Sequence, residues 1–182
     1  MTVKSCATIT DLYQVPDKGK AELVDGEIKL MSPTGVRPGR AGGEIYFSLR
    51  LYERHVGGGV AFPDNVGFLV NLPHRKSVSP DAAWYAGEAT GMQFLDAPPT
   101  FAAEIRSDSD YGPKAERDLA AKRADYFTAG TLVVWDVDPL GEDVVRVYSV
   151  GAPDKPTIYR RGDIAEAESA VPGWTMPVDD LF

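Results

Sequence analysis

The chain has 182 residues, of which 43% are hydrophobic and 25% are charged, and this composition predicts one globular domain spanning residues 1–182. Its net charge of −8 argues against a general nucleic-acid coat protein, which depends on neutralising phosphates. With Cys6 as the only cysteine and no signal-peptide pattern or apolar segment of membrane length, we expect a cytoplasmic protein with no internal disulfide and no membrane partner.

The N-terminal half begins with a hairpin signal. Asp25-Gly26 lies between apolar-containing arms in residues 22–30, which predicts a β-hairpin, and a turn follows at residues 32–35. Apolar residues at helical spacing predict a helix over residues 40–56, ended by Gly57-Gly58-Gly59. Strands are then predicted over residues 66–70, 78–85 and 100–106.

The C-terminal half begins with a second helix. Pro113 suits its first turn and Gly130 its end. Strands are predicted over residues 132–137, 144–150 and 157–160. The alternation of strands with helices predicts an α/β fold with a central mixed sheet flanked by helices.

Three charged residues interrupt these apolar patterns. Asp81 falls within a predicted buried strand, and Glu104 shares one strand face with Arg106. Lys122 lies at the centre of the apolar stripe of the second helix. Uncompensated buried charge costs several kcal/mol, so three such residues indicate a site. An alternative for Lys122 is that its stem covers apolar surface or that it pairs with Asp118.

Two carboxylates on neighbouring strands suit a hard divalent cation, so Asp81 and Glu104 predict a site for Mg²⁺ or Mn²⁺. A nearby lysine would orient or help to deprotonate water, and the predicted reaction is hydrolysis of a nucleic-acid backbone. Zinc is disfavoured because the chain has two histidines and one cysteine, none at ligand spacing. Short basic clusters are candidate backbone contacts. They are Arg37 with Arg40, His74-Arg75-Lys76, and Arg160-Arg161.

A series of motifs covering most of the chain resembles a known family. In chain order the motifs are Glu22 to Glu27, Met31-Ser32-Pro33-Thr34-Gly35, Ser79-Pro80-Asp81, Glu104-Ile105-Arg106-Ser107, Asp118 with Lys122 and Tyr126, Gly130, Trp135, Asp138-Pro139, Val171-Pro172-Gly173-Trp174 and Asp180-Leu181-Phe182. The series is similar to the Uma-two family of "putative restriction endonucleases", within the PD-(D/E)XK nuclease superfamily. The resemblance implies a restriction-endonuclease-like core.

The resemblance also implies roles for particular residues. Asp81, Glu104 and Ile105 would contact the metal. The superfamily usually places its lysine two residues after the glutamate, a position that is Arg106 in this chain. The chain is similar to the Uma-two family in having a lysine on the following helix, namely Lys122. Lys122 is therefore the stronger candidate, because an arginine is a poor proton acceptor. Glu44 on the first long helix would supply an extra carboxylate, with Glu22 and Glu27 as alternatives.

The leading hypothesis is a metal-dependent endonuclease acting on DNA, expected by analogy to be a homodimer. A first alternative is a catalytically inactive nuclease-fold module that binds nucleic acid or a protein partner. A second is a structural ion network, in which Asp81, Glu104 and Lys122 satisfy one another inside the fold.

Overall fold

The N-terminal hairpin forms as the Asp25-Gly26 pair predicts. The computed structural model describes residues 6–15 and 19–182. The N-terminal stretch in which we found no signal-peptide pattern therefore lies mostly outside the described residues. Strand β1 (Ala21–Val24) pairs antiparallel with β2 (Glu27–Leu30). Asp25 and Gly26 have φ angles of 54° and 71°, the two positive values that a tight primed turn requires. A short capped helix, α1 (Ile9–Tyr13), precedes the hairpin and was not predicted.

A mixed sheet forms the centre of the described chain. Its neighbouring strands are antiparallel except for the parallel pair on either side of the second long helix. In spatial order the strands are β10 (Ala152–Tyr159), β9 (Val145–Ser149), β8 (Val133–Val137), β7 (Phe101–Ile105), β6 (Ala82–Tyr85) and β3 (Val60–Pro63).

The two long helices cover opposite faces of this sheet. Helix α2 (Val36–His55) buries Ile45 and Leu49 in the core cluster that contains Ala103 of β7. Helix α3 (Pro113–Ala129) buries Tyr126 in a second cluster that contains Ala102. The alternation of β7 therefore directs Ala102 and Glu104 towards the α3 side, as the two-residue period predicts.

Helix α3 matches its sequence signals closely. Pro113 occupies the first turn, and Gly130 ends the helix with φ of 117°, a left-handed conformation that suits glycine. The predicted stripe is confirmed, because its members are the less exposed residues of their turns. These are Ala115, Leu119, Lys122, Tyr126 and Ala129.

Other predicted elements differ from the observed ones. The strand predicted over residues 78–85 is divided into β5 (Ser77–Val78) and β6, because Pro80 has no N–H for the ladder and the backbone turns at Asp81. The strand predicted at 66–70 is reduced to β4 (Phe68–Leu69), which pairs with β5. Helix α2 begins one turn earlier than predicted, since Pro38 is tolerated in a first turn.

The C-terminal segment closes the α2 side of the sheet. It contains β11 (Ile164–Glu166), β12 (Thr175–Pro177) and a 3₁₀ helix (Val178–Leu181). Between these elements Trp174 stacks near Trp135 and Phe101, with ring centroids 5.0 and 5.6 Å away. None of the helices in residues 6–15 and 19–182 is long and apolar enough to cross a membrane.

Replacement of Trp174 tests how much this closing segment contributes. Trp174 is 2% exposed, so Trp174→Ala is expected to lower the free energy of unfolding by about 3–5 kcal/mol. Phe47, which is 57% exposed on α2, provides the matched aromatic control, and Phe47→Ala should cost less than about 1 kcal/mol. Urea denaturation measures both values. Equal losses would show that the segment is not part of the core.

Candidate active site

Asp81 and Glu104 lie at adjoining ends of β6 and β7. The ladder pairs Ala82 with Ala103, and the next residues on the two strands are Asp81 and Glu104. The Asp81 backbone N–H donates to the Ala103 carbonyl at 3.0 Å, and the Ile105 N–H donates to Asp81 Oδ2 at 2.7 Å. The position of the Asp81 carboxylate is therefore fixed by the backbone of the strand that carries Glu104.

Glu104 meets two side chains of α3. Lys122 Nζ donates to Glu104 Oε2 at 2.8 Å, and the Tyr126 hydroxyl donates to Oε1 at 2.6 Å. Burial raises the pKa of Glu104; Lys122 opposes this shift, and the negative charge of Asp81 adds to it. The site brings together Asp81, Glu104 and Lys122. Asp118, the alternative partner of Lys122, instead pairs with Lys114.

Lys122 bridges Glu104 to a second buried carboxylate. Its Nζ lies 3.1 Å from Glu22 Oε1, and Glu22 on β1 is 4% exposed. Burial lowers the pKa of Lys122, but the charges of Glu104 and Glu22 outweigh that effect and hold it above its usual range. Lys122 is therefore a cation in this arrangement. Sequence reasoning ranked Glu22 only as a weaker alternative to Glu44.

Glu22 is held by contacts with the turn at residues 74–76 and with the backbone of Ser79. Arg75 Nη1 donates to Glu22 at 2.5 Å and its Nε donates to Asp125 Oδ2 at 2.7 Å, while the Ser79 N–H donates to Glu22 Oε1 at 3.0 Å. The Arg75 side chain is only 12% exposed. This arginine, predicted as a candidate backbone contact, thus belongs to the ion pairs that hold Glu22.

Lys20 is the site residue that sequence reasoning missed. Its Nζ lies 2.5 Å from Asp81 Oδ1 and 2.8 Å from Asp64 Oδ1. Burial lowers the pKa of Lys20, but the charges of Asp81 and Glu104 outweigh burial and raise it. Lys20 follows a short polar stretch with no periodicity, so no local signal indicated that it would reach β6.

Arg106 shares the strand face of Glu104 but binds other partners. Its Nε and Nη2 donate to the two oxygens of Asp136, each at 2.7 Å, and it also pairs with Glu116 of α3. The hydrogen bonds to Asp136 raise the pKa of Arg106 most strongly, and those to Glu116 raise it further. Its guanidinium is therefore engaged in an ion pair that joins β7, β8 and α3.

The remaining candidate carboxylates lie apart from the pair. Glu44 on α2 pairs with Arg40 at 3.2 Å, and Glu27 is exposed on β2. Gly42, two residues before Glu44, is the position where α2 approaches the site: a Cβ there would lie 3.3 Å from the Asp81 carbonyl oxygen. The basic pair Arg160-Arg161 also binds acids, namely Asp143 and Asp179.

A cavity of about 680 Å³ gives access to the carboxylates. Asp81, Glu104 and Ile105 line its floor, and Lys122 lines it from α3. The loop of residues 31–35 also lines the cavity, as do Ser107 and residues 109–111. The strand ends are thus open to a ligand.

The donor set fits a divalent cation that keeps most of its water. Within residues 6–15 and 19–182 no group of three His, Cys, Asp or Glu side chains is arranged to hold a metal ion. Mg²⁺ commonly uses only one or two protein carboxylates, and each carboxylate has lone pairs beyond those used by its present partners. Asp81 and Glu104 meet this requirement with hard oxygen ligands.

The charge balance of the described residues also favours an added cation. With every carboxylate ionised and His74 neutral, the ion pairs around the site form two separate groups, which together contain five carboxylates and three cations. The carboxylates are Glu22, Asp64, Asp81, Glu104 and Asp125, and the cations are Lys20, Arg75 and Lys122. The excess of two negative charges equals the charge of one divalent cation.

Comparison with solved structures identifies the class of fold. A crystal structure from Anabaena variabilis, described as that of "a putative nuclease belonging to DUF820", matches with a TM-score of 0.75 and 17% sequence identity. The match covers 96% of this chain and 97% of that chain. Similarity at this identity shows the fold alone, and it confirms the α/β class predicted from the sequence.

The family follows from the sequence. Residues 8–179 match the Uma2 family model, whose description is "putative restriction endonuclease". The match spans nearly the whole chain, so the protein belongs to the Uma2 family, as the motifs predicted. No protein with a curated description matches the chain. The family membership supports a nuclease.

Substitution of Arg106 tests whether it is a structural cation. Its side chain is 5% exposed and that of Asp136 is 6% exposed, so Arg106→Met leaves a buried carboxylate without its partner. We expect the free energy of unfolding to fall by about 3–5 kcal/mol. The matched control is Lys114→Met, because Lys114 is 84% exposed in its pair with Asp118 and should change stability by less than about 1 kcal/mol. A fully stable Arg106→Met protein would reopen a direct role in the site.

Proposed function

We propose that the protein is an endonuclease that hydrolyses DNA phosphodiester bonds with the aid of Mg²⁺ or Mn²⁺. The observation that carries the proposal is the meeting of Asp81, Glu104 and Lys122 in one open cavity, among ion pairs that together have two negative charges in excess. The Uma2 family membership supports the same chemistry. We further propose a cytoplasmic homodimer, because two symmetry-related sites suit cleavage of both strands.

In this proposal Asp81, Glu104 and the backbone carbonyl of Ile105 hold the cation. A divalent cation held there supplies Lewis-acid stabilisation of the negative charge that develops on the phosphate. Asp81 is positioned by the Ile105 N–H, and Glu104 by the Tyr126 hydroxyl. These hydrogen bonds fix the two carboxylates before any ligand enters, which lowers the cost of assembling the site.

Lys122 acts in the proposal as a hydrogen-bond donor. An ammonium group has three donors, and the contacts with Glu104 and Glu22 use two of them. The third donor is available to the attacking water or to a phosphate oxygen in the cavity. Because both partners are carboxylates that favour its charged form, Lys122 orients a water or stabilises charge more readily than it removes a proton.

The charges of the cavity walls explain why a cation would be needed for substrate binding. The described lining residues include four cations, Lys20, Arg75, Lys114 and Lys122. They also include four acids, Asp81, Glu104, Asp110 and Asp118. Such a cavity gives a phosphate backbone no net attraction, and the protein as a whole carries −8. An added divalent cation would give the cavity a net positive charge that attracts a phosphate, so we expect DNA binding to depend on it.

A second candidate function is a nuclease-fold module that binds nucleic acid or a protein without cleaving it. One observation favours this candidate: both oxygens of Asp81 and both oxygens of Glu104 already accept hydrogen bonds within the protein. A site in which these bonds are permanent would not admit a cation. Metal binding therefore separates the two candidates before any cleavage is measured.

Conservative substitutions test the catalytic proposal. Asp81→Asn, Glu104→Gln and Lys122→Met should each lower the rate of cleavage of supercoiled DNA with Mn²⁺ by at least about 100-fold. Asp81→Asn and Glu104→Gln each remove a negative charge from a group of ion pairs that has one in excess, so their free energies of unfolding should hold or rise. Lys122→Met leaves Glu22 and Glu104 without their shared cation, so circular dichroism is used to test whether this variant is folded.

The control for these variants is Asp154→Asn, which removes a carboxylate from an exposed position on β10 and should cleave at the wild-type rate. Well-folded wild-type protein that binds no Mn²⁺ and cuts no DNA would contradict the proposal. Loss of folding in Asp81→Asn and Glu104→Gln would support a structural ion network instead.

Separate substitutions of Glu44 and Glu22 test which of these two predicted candidates serves as the extra carboxylate. Since Glu44 pairs with Arg40 on α2, Glu44→Gln should change the cleavage rate by less than about threefold. Glu22→Gln removes a partner of Lys122 and should lower the rate by about tenfold or more. Steady-state cleavage assays under identical Mn²⁺ concentrations measure both. The reverse order would restore Glu44 as the additional acidic residue.

A further inference from the structure

Lys20 is a charged group of the site that the proposed chemistry does not use. Its ammonium lies 2.5 Å from Asp81 Oδ1, while the other oxygen of Asp81 accepts the Ile105 N–H. Lys20 therefore occupies the carboxylate oxygen that the strand backbone leaves available. Its side chain is 12% exposed, so this contact is largely shielded from water.

A second carboxylate holds the same ammonium from the other side. Asp64 Oδ1 lies 2.8 Å from Lys20 Nζ, and the Asp64 side chain is 37% exposed. The Thr34 hydroxyl donates to Asp64 Oδ2 at 3.1 Å, which fixes Asp64 beside the loop that borders the cavity. Lys20 thus has one partner on the cavity floor and one at a more exposed position.

We propose that Lys20 is a built-in counter-cation that competes with the divalent cation for Asp81, and that Asp64 retains Lys20 when the divalent cation binds. The inference rests on the proposed function, because it takes Asp81 and Glu104 as the ligands. It assigns to Lys20 a positioning role: the ammonium holds Asp81 in place when no metal is bound and sets the affinity with which a metal replaces it.

Charge balance gives the direction of the effect. Lys20 with Asp64 and Asp81 carries one excess negative charge, and without Lys20 the two carboxylates carry two. Removing the ammonium also removes the repulsion between it and an incoming divalent cation at the same oxygen. If Lys20 instead served only to hold Asp81 in its binding position, its removal would weaken metal binding. The sign of the change in affinity thus distinguishes the two roles.

The first experiment measures Mn²⁺ binding by isothermal titration calorimetry, with no DNA present. Lys20→Met preserves the length of the side chain and removes the charge, so we expect the dissociation constant for Mn²⁺ to fall by about tenfold or more. Lys20→Arg keeps the charge and should remain within about threefold of the wild type. Lys155→Met removes a cation from an exposed position on β10 and should change the constant by less than about twofold.

A second variant tests the part assigned to Asp64. In Asp64→Asn, Lys20 loses its other carboxylate partner and is held by Asp81 alone, so Mn²⁺ binding should weaken by about tenfold. In the Lys20→Met background the same Asp64→Asn change should weaken binding by less, because no ammonium remains to be retained. This double-mutant cycle isolates the coupling between the two residues. If Lys20→Met proves too unstable to measure, Lys20→Gln can replace this variant, and the cycle still tests the inference.

The outcomes separate this inference from the proposed function. Unchanged or weaker Mn²⁺ binding by Lys20→Met, or full additivity in the cycle, overturns the role of Lys20 while the metal site stands. Mn²⁺ binding that is insensitive to Asp81→Asn overturns the site itself. An absence of Mn²⁺ binding in the wild type and in Lys20→Met overturns both.

Discussion

The buried carboxylate of Glu104 is the constraint on which the arrangement of the site depends. A fold can bury a carboxylate on the inner face of a sheet only when hydrogen bonds and an opposite charge replace the water that the carboxylate loses. Tyr126 and Lys122 supply these from α3, and Lys122 requires Glu22 as a further partner. Glu22 is in turn held by Arg75, so one buried charge ties the hairpin, β7, α3 and the turn at residues 74–76 together.

The parts of the fold that the sequence predicted are those in which a local rule decides the conformation. Asp25-Gly26 sets the hairpin turn, and Pro113 and Gly130 set the ends of α3. Strand β3 was not predicted because its short pattern has no comparable signal. Helix α1 was missed although Thr8 and Asp11 form a capping box at its start. The break before Asp81 was also missed, although Pro80 marks it, because the surrounding residues are as apolar as those of a continuous buried strand.

The candidate site likewise contains some residues that the sequence indicated and others that it did not. Asp81, Glu104 and Lys122 attracted attention because each is a charge within an apolar pattern, and the structure brings all three together. The sequence could not rank Arg106 against Lys122 by periodicity, since Arg106 lies on the correct face of β7. Their difference is tertiary: the parallel pairing of β7 with β8 places Asp136 beside Arg106, and this partner engages the guanidinium. Lys20 reaches Asp81 from 61 residues away, a distance in sequence at which no local pattern operates.

A site of this kind has to satisfy two opposing requirements. Without a bound cation, the carboxylates that would bind it repel one another and are shielded from water, so the fold needs internal cations to keep them together. Each internal cation also lowers the attraction for a divalent ion. Lys122 cannot leave without exposing Glu22 and Glu104 to one another, whereas Lys20 has Asp64 as an alternative partner. The two lysines are therefore unequal: Lys122 is held between two buried carboxylates, whereas Lys20 also has a partner, Asp64, that is more exposed than Asp81.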